Sequence, residues 1–253
     1  KMVLIQRNFF LDSVVPKSDD EGKRFVYCPG YDLTTFFFPK EKAHESLRKT
    51  QESLHKAQES LYQTLSNTEK MYIMKWIFSF VCGIQILLEK KLNPFISDTS
   101  IFIDSKMDAR LGYTNWESVY DKSTTVMPYQ FFFSPEQILK LKNQERESNY
   151  SYSIGILILS LLNQRIPGSY FEGKHLNKKD TYDILSQSKP FSEIIPSCPF
   201  ANFIKKLLST QKEQRPKIMD IIRFLLQEKN CLDGVNYFDF IEFIKDKFEV
   251  IGD

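Results

Sequence analysis

Apolar positions in this chain fall into four kinds of run, and each predicts a different element. Met71 to Leu88, MYIMKWIFSFVCGIQILL, is apolar at nearly every position, interrupted by Lys75 and Gln85. It has about the minimum length of a bilayer span, but it carries a charge and lacks the flanking belt a span requires. The run therefore predicts a helix buried on all sides. Ile154 to Leu162 is too short to span and predicts a second buried helix. Phenylalanine occurs in two triplets, Phe36-Phe37-Phe38 and Phe131-Phe132-Phe133. Both predict half-buried loop packing, with a partner-docking patch as the alternative.

The fourth run is a repeat. Glu45 to Leu65 reads ESLRKTQ, ESLHKAQ, ESLYQTL, so Leu47, Leu54 and Leu61 recur every seven positions among polar residues. The stretch has no Gly or Pro and is rich in Lys, Glu, Gln and Leu, which predicts a helix. A coiled coil needs a second apolar residue three or four positions on in each heptad. Those places hold Thr50 or Gln51, then Ala57 or Gln58, and only the last offers Leu65. The stripe is too thin for self-dimerisation. It leaves a helix lying on its own domain, or a docking helix for a partner.

Candidate chemistry concentrates between Leu92 and Gly112, LNPFISDTSIFIDSKMDARLG. This stretch resembles a protein-kinase catalytic loop with its catalytic residues replaced. A kinase reads HRDxxxxN here, then two hydrophobic strand residues and an Asp, then a short hairpin into DFG. Aligned on Ser100-Ile101-Phe102-Ile103-Asp104, Asn93-Pro94-Phe95 takes the place of HRD and Ser100 that of the metal-binding Asn. Arg110-Leu111-Gly112 is expected at DFG. Phosphoryl transfer depends on positioned charge: a base for the hydroxyl proton and ligands for Mg²⁺. Phe95 supplies neither, Ser100 is a poor ligand for a hard cation, and Arg110 reverses the sign of charge. Asp98 and Asp108 do not restore the spacing, and are expected as solvated turn carboxylates.

Further landmarks follow in kinase order. Phe133-Ser134-Pro135-Glu136 resembles the APE motif, and Tyr150 to Leu157, YSYSIGIL, resembles the start of the large central helix, with Tyr150 replacing its Asp. Asn163 to Pro167 is similar to the turn after that helix, and Ile204 to Arg215 resembles the LIxxCLxxDPxxRP segment of tyrosine-kinase-like families. The resemblance implies a buried ion pair between Glu136 and Arg215. Upstream, Arg24 to Leu33 resembles the strand and hinge that precede the helical lobe. Ser66 to Lys70 and the stretch Asn236 to Ile241 are similar to features of the expanded family of trichomonads and related protists.

The implied fold is α+β and kinase-like: a predominantly helical C-lobe with the last strands of a truncated N-lobe. Its expected divisions are an N-lobe remnant and hinge (1–40), a helical insert at the place of kinase helix D (41–68), the C-lobe (69–230) and a C-terminal tail (231–253). The chain begins with Lys rather than Met, and is expected to be a piece of a longer polypeptide.

Composition narrows the function classes. A net charge of +2 with both signs interspersed implies no nucleic-acid or acidic-membrane partner. Four well-separated cysteines and three histidines give no zinc spacing, and predict free thiols in a reducing, cytoplasmic compartment. The expectation is an inactive pseudokinase of the tyrosine-kinase-like class, not an enzyme, with no cofactor and no metal. It would bind other proteins as a scaffold, in one variant as a structural subunit of a large, cytoskeletal assembly. Leu47, Leu54, Leu61 and Phe131 to Phe133 are the candidate partner contacts. The rival expectation is an atypical nucleotide-binding kinase.

Overall fold

The computed structural model describes residues 3–6, 30–32, 61–92, 96–97, 100–104, 107–112, 131–138, 146–164, 178–186 and 189–251. Within them the chain is mostly helical, with two small antiparallel sheets. In one sheet β1 (Val3–Gln6) pairs with β5 (Phe248–Ile251). The other runs in the order β2 (Gly30–Asp32), β3 (Ile101–Asp104), β4 (Ala109–Leu111).

A four-residue helix α1 (Leu61–Thr64) leads into the long helix α2 (Asn67–Glu89). Ser66 starts α2 with a capping box. Its hydroxyl accepts from the Glu69 N–H, and the Glu69 carboxylate accepts from the Ser66 N–H at 2.8 Å. Residues 76 to 84 are buried without interruption. Nine consecutive residues make two and a half turns, so α2 is covered on every side. By length and composition alone it would pass for a bilayer span, yet 67% of its most apolar window is enclosed by the protein.

Helix α3 (Pro135–Ile138) is short, and α4 (Arg146–Asn163) is the second buried helix. Helices α5 (Lys178–Leu185) and α6 (Lys189–Ser192) follow, then α7 (Ala201–Leu207). Gly155 lets α4 and α7 approach closely: a Cβ there would lie 2.8 Å from the Cβ of Leu207. Helix α8 (Ile218–Leu225) buries Ile218, Ile221, Ile222 and Leu225, a single stripe at helical spacing. Helix α9 (Tyr237–Lys247) buries Phe240 and Ile244, and Phe240 meets Phe78 of α2 edge-on with ring centres 5.9 Å apart.

Core contacts reach into two of the expected divisions. Within the expected tail, Leu232, Phe240 and Ile244 belong to the core, and β5 pairs along its length with β1. The end of the predicted insert is also core. Tyr62 and Leu65 are buried, and Tyr62 donates its hydroxyl to Asp233 at 3.2 Å. Apolar side chains at these places face an existing helical surface, and burying each stabilises the chain by roughly 1.5–3 kcal/mol. The 68/69 boundary falls inside the first turn of α2.

Candidate functional site

The hairpin of β3 and β4 and the residues flanking it hold Ser100, Arg110, Leu111 and Gly112. Strand β3 alternates, with Ile101 and Ile103 buried and Phe102 and Asp104 half-buried. Ser100, just before it, is 5% exposed and its hydroxyl is engaged locally. It donates to the Ser97 carbonyl at 2.8 Å and accepts from the Ser97 N–H at 2.9 Å. Those bonds close a turn into β3. Asn93, Pro94, Phe95 and Asp98 lie outside the described residues.

Strand pairing corrects the position expected for residues 110 to 112. Arg110 and Leu111 are not beyond the hairpin; they lie inside β4, opposite Phe102 and Ile101. Gly112 alone follows, donating its N–H to the Ser100 carbonyl at 2.8 Å. The reason is the short connection: only 105 to 108 separate β3 from β4, so the partners of β3 must come from residues 109 onward. A Cβ at Gly112 would stand 2.8 Å from the Phe102 ring, which selects glycine at that step.

Arg110 is held by its own hairpin. Its Nε and one terminal nitrogen each donate to Asp104 at 3.2 Å, and Asp108 lies 4.0 Å away. Asp108 also accepts from Lys247 of α9 at 2.8 Å. The turn is also tied to α2, where Trp76 donates its indole N–H to the Met107 carbonyl at 2.8 Å. Met107 has φ of 63°, in the left-handed region. Asp108 is thus a bonded member of a charge cluster rather than the solvated turn carboxylate expected.

The second constellation is buried. Arg215 donates to both carboxylate oxygens of Glu136, at 2.8 and 3.2 Å. It also donates to the carbonyls of Ser209 at 2.7 Å and Ser148 at 3.4 Å. Its guanidinium stacks 5.0 Å from the centre of the Tyr152 ring. The Arg215 side chain is 0% exposed and that of Glu136 16%. Burial pushes the Tyr152 phenol above its ordinary range, with Arg215 opposing.

Local chemistry places Glu136. Ser134 begins α3 with Pro135 in the first helical position, where a missing N–H costs nothing. The Ser134 N–H donates to the Gln137 side chain at 2.9 Å, and the Gln137 N–H returns to the Ser134 hydroxyl at 3.4 Å. Ser134 also donates its hydroxyl to Asn149 of α4 at 2.8 Å. On the other side, Glu147 accepts the N–H of Ile218 at 3.0 Å, so a carboxylate of α4 caps α8. Both Ser134 to Gln137 and Ser66 to Glu69 fit the S-x-x-E/Q signature. Sequence reasoning passed over that role in each.

Phe131, Phe132 and Phe133 are 6%, 0% and 3% exposed, so they fill the core and do not form a docking patch. Three aromatic rings ahead of α3 bury too much area to remain at the surface. Leu47 and Leu54 lie outside the described residues, and Leu61 is the first residue of α1. Among the described residues, no group of three or more His, Cys, Asp or Glu could hold a metal ion. No protein-family model matches the sequence, and no curated protein matches it.

Proposed function

We propose that this chain is a catalytically inactive, kinase-like protein that acts by binding other proteins, as a scaffold or as a structural subunit of a larger, cytoskeletal assembly. The observation that carries the reading is the buried Glu136–Arg215 pair, which joins two stretches 79 positions apart. The resemblance implied that pairing from the sequence, and spacing of that length rarely brings a carboxylate and a guanidinium together by chance.

The hairpin supports the inactive half of the reading. The Ser100 hydroxyl is engaged by Ser97, and Arg110 lies in a strand against Asp104. Because the hairpin closes at Leu111, a metal-binding Asp following it would fall within Gly112-Tyr113-Thr114-Asn115, which contains no carboxylate. A kinase fold kept without its proton acceptor and metal ligands serves shape rather than phosphoryl transfer.

The test is a thermal-shift titration with ATP, with and without Mg²⁺ or Mn²⁺. A ligand that binds only the folded state adds about 2.7 kcal/mol at a hundredfold excess over its Kd. The reading expects no shift. A metal-dependent shift overturns it in favour of an atypical nucleotide-binding kinase. A shift without metal keeps the inactive reading and makes nucleotide a structural ligand.

A further inference from the structure

Beyond its pairing with β2 and its packing on α2, two contacts of the β3–β4 hairpin differ in kind. On the α2 side, Trp76 bonds the Met107 carbonyl, a neutral contact that salt leaves alone. On the α9 side the attachment is ionic. Asp104, Asp108 and Arg110 sum to a formal charge of −1, and Lys247 brings the group to zero. Arg110 is directed at Asp104 and reaches Asp108 only at 4.0 Å, whereas Lys247 meets Asp108 at 2.8 Å. Lys247 is also the residue at which α9 passes into β5, and β5 pairs with β1.

We propose that Lys247 is a salt-releasable clasp: its ammonium on Asp108 holds the end of α9, and the β1–β5 ribbon joined to it, against the β3–β4 hairpin. Exposure separates this contact from the other ion pair between distant stretches among the described residues. The Lys247 side chain is 35% exposed and Arg215 is 0% exposed, so ions reach the first and not the second. Release frees the hairpin from α9 while Trp76 keeps it on α2, a local opening that leaves the core closed. The inference stands on this cluster alone and does not depend on the kinase-like reading.

Native-state hydrogen exchange of the full chain tests it, at about 0.01 M and about 1 M salt, where the Debye length is ~30 and ~3 Å. The reporters are the Asp104 and Gly112 amides, bonded to the Asp108 and Ser100 carbonyls. Their rates are normalised to amides of α4. The expected result is roughly two- to fivefold faster exchange at high salt, the range of a partly exposed ion pair. Lys247→Met and Asp108→Asn are each expected to show the faster rate at both salt concentrations. Salt-independent exchange in the unaltered protein overturns the proposal, as do variants that keep its salt response. If the α4 amides accelerate by the same factor, the opening is global and the clasp is refuted.

Discussion

Arg215 grips both carboxylate oxygens of Glu136 while its own side chain is wholly shielded from solvent. Removing one partner leaves the other without its counter-charge. Glu136→Ala and Arg215→Ala are each expected to cost about 3–5 kcal/mol. Replacing both together with apolar residues of similar volume is expected to cost much less than the two singles summed. Urea unfolding of the two singles and the double, with unchanged slopes, gives the coupling directly.

Gly155 sits where α4 and α7 press together. An added methyl would meet the Leu207 Cβ at 2.8 Å and the Leu208 Cδ2 at 2.9 Å. Gly155→Ala improves helix propensity by about 1 kcal/mol. Overpacking of this kind typically costs about 1–3 kcal/mol and is expected to prevail. A fall in the urea midpoint checks it. A rise would mean that the helices part without loss.

The Ser66–Glu69 box makes the start of α2 sensitive to acid. Hydrogen bonds from the Ser66 side chain, then its backbone, hold the Glu69 carboxyl below its ordinary range. A carboxyl lowered in the folded state stabilises the fold above its unfolded pKa, and that contribution fades as pH falls through the folded value. The stability difference between the unaltered protein and Glu69→Gln is therefore expected to shrink from pH 7 toward pH 3. Ser66→Ala is expected to cost about 1 kcal/mol at neutral pH.

Three described cysteines are free thiols, and burial raises all three pKa values. Cys198 is pushed up to about 11, and Cys82, in the middle of α2, also rises well above its ordinary value. The thiolate is the reactive form, so iodoacetamide labelling of the native protein at pH 8 is expected to be slow at Cys198 and slowest at Cys82. Below its pKa, each pH unit should speed labelling of Cys198 about tenfold. In urea the contrast between sites should vanish, as peptide mass spectrometry can show.

Elements were legible where the pattern was local. The long, nearly continuous apolar run from Met71 marked α2, and Ile154 to Leu162 marked α4, because helix burial on all sides shows in the sequence itself. Both S-x-x-E/Q starts were equally local and went unread. Position within the hairpin was another matter. Whether Arg110 lies inside β4 or beyond it depends on which residues pair across the turn, and composition does not record that. The same holds for Phe131 to Phe133, whose burial depends on helices supplied elsewhere in the chain. It also holds for residues 231 onward, an aromatic and acidic stretch in which the burial of Leu232, Phe240 and Ile244 depends on helices supplied elsewhere. The Glu136–Arg215 pair emerged only through the kinase resemblance, since nothing local joins residues 79 apart.

The burial of α2 sets a schedule for synthesis. The last of its covering helices, α9, begins at Tyr237, 148 residues after α2 ends at Glu89. At roughly 5–20 residues per second, a ribosome needs about 7–30 s to deliver that cover. For that interval the nascent chain carries an apolar helix of membrane-spanning length with part of its surface bare. Chaperones and the machinery that inserts membrane proteins would meet the same 23 residues, and timing rather than composition would decide which claims them.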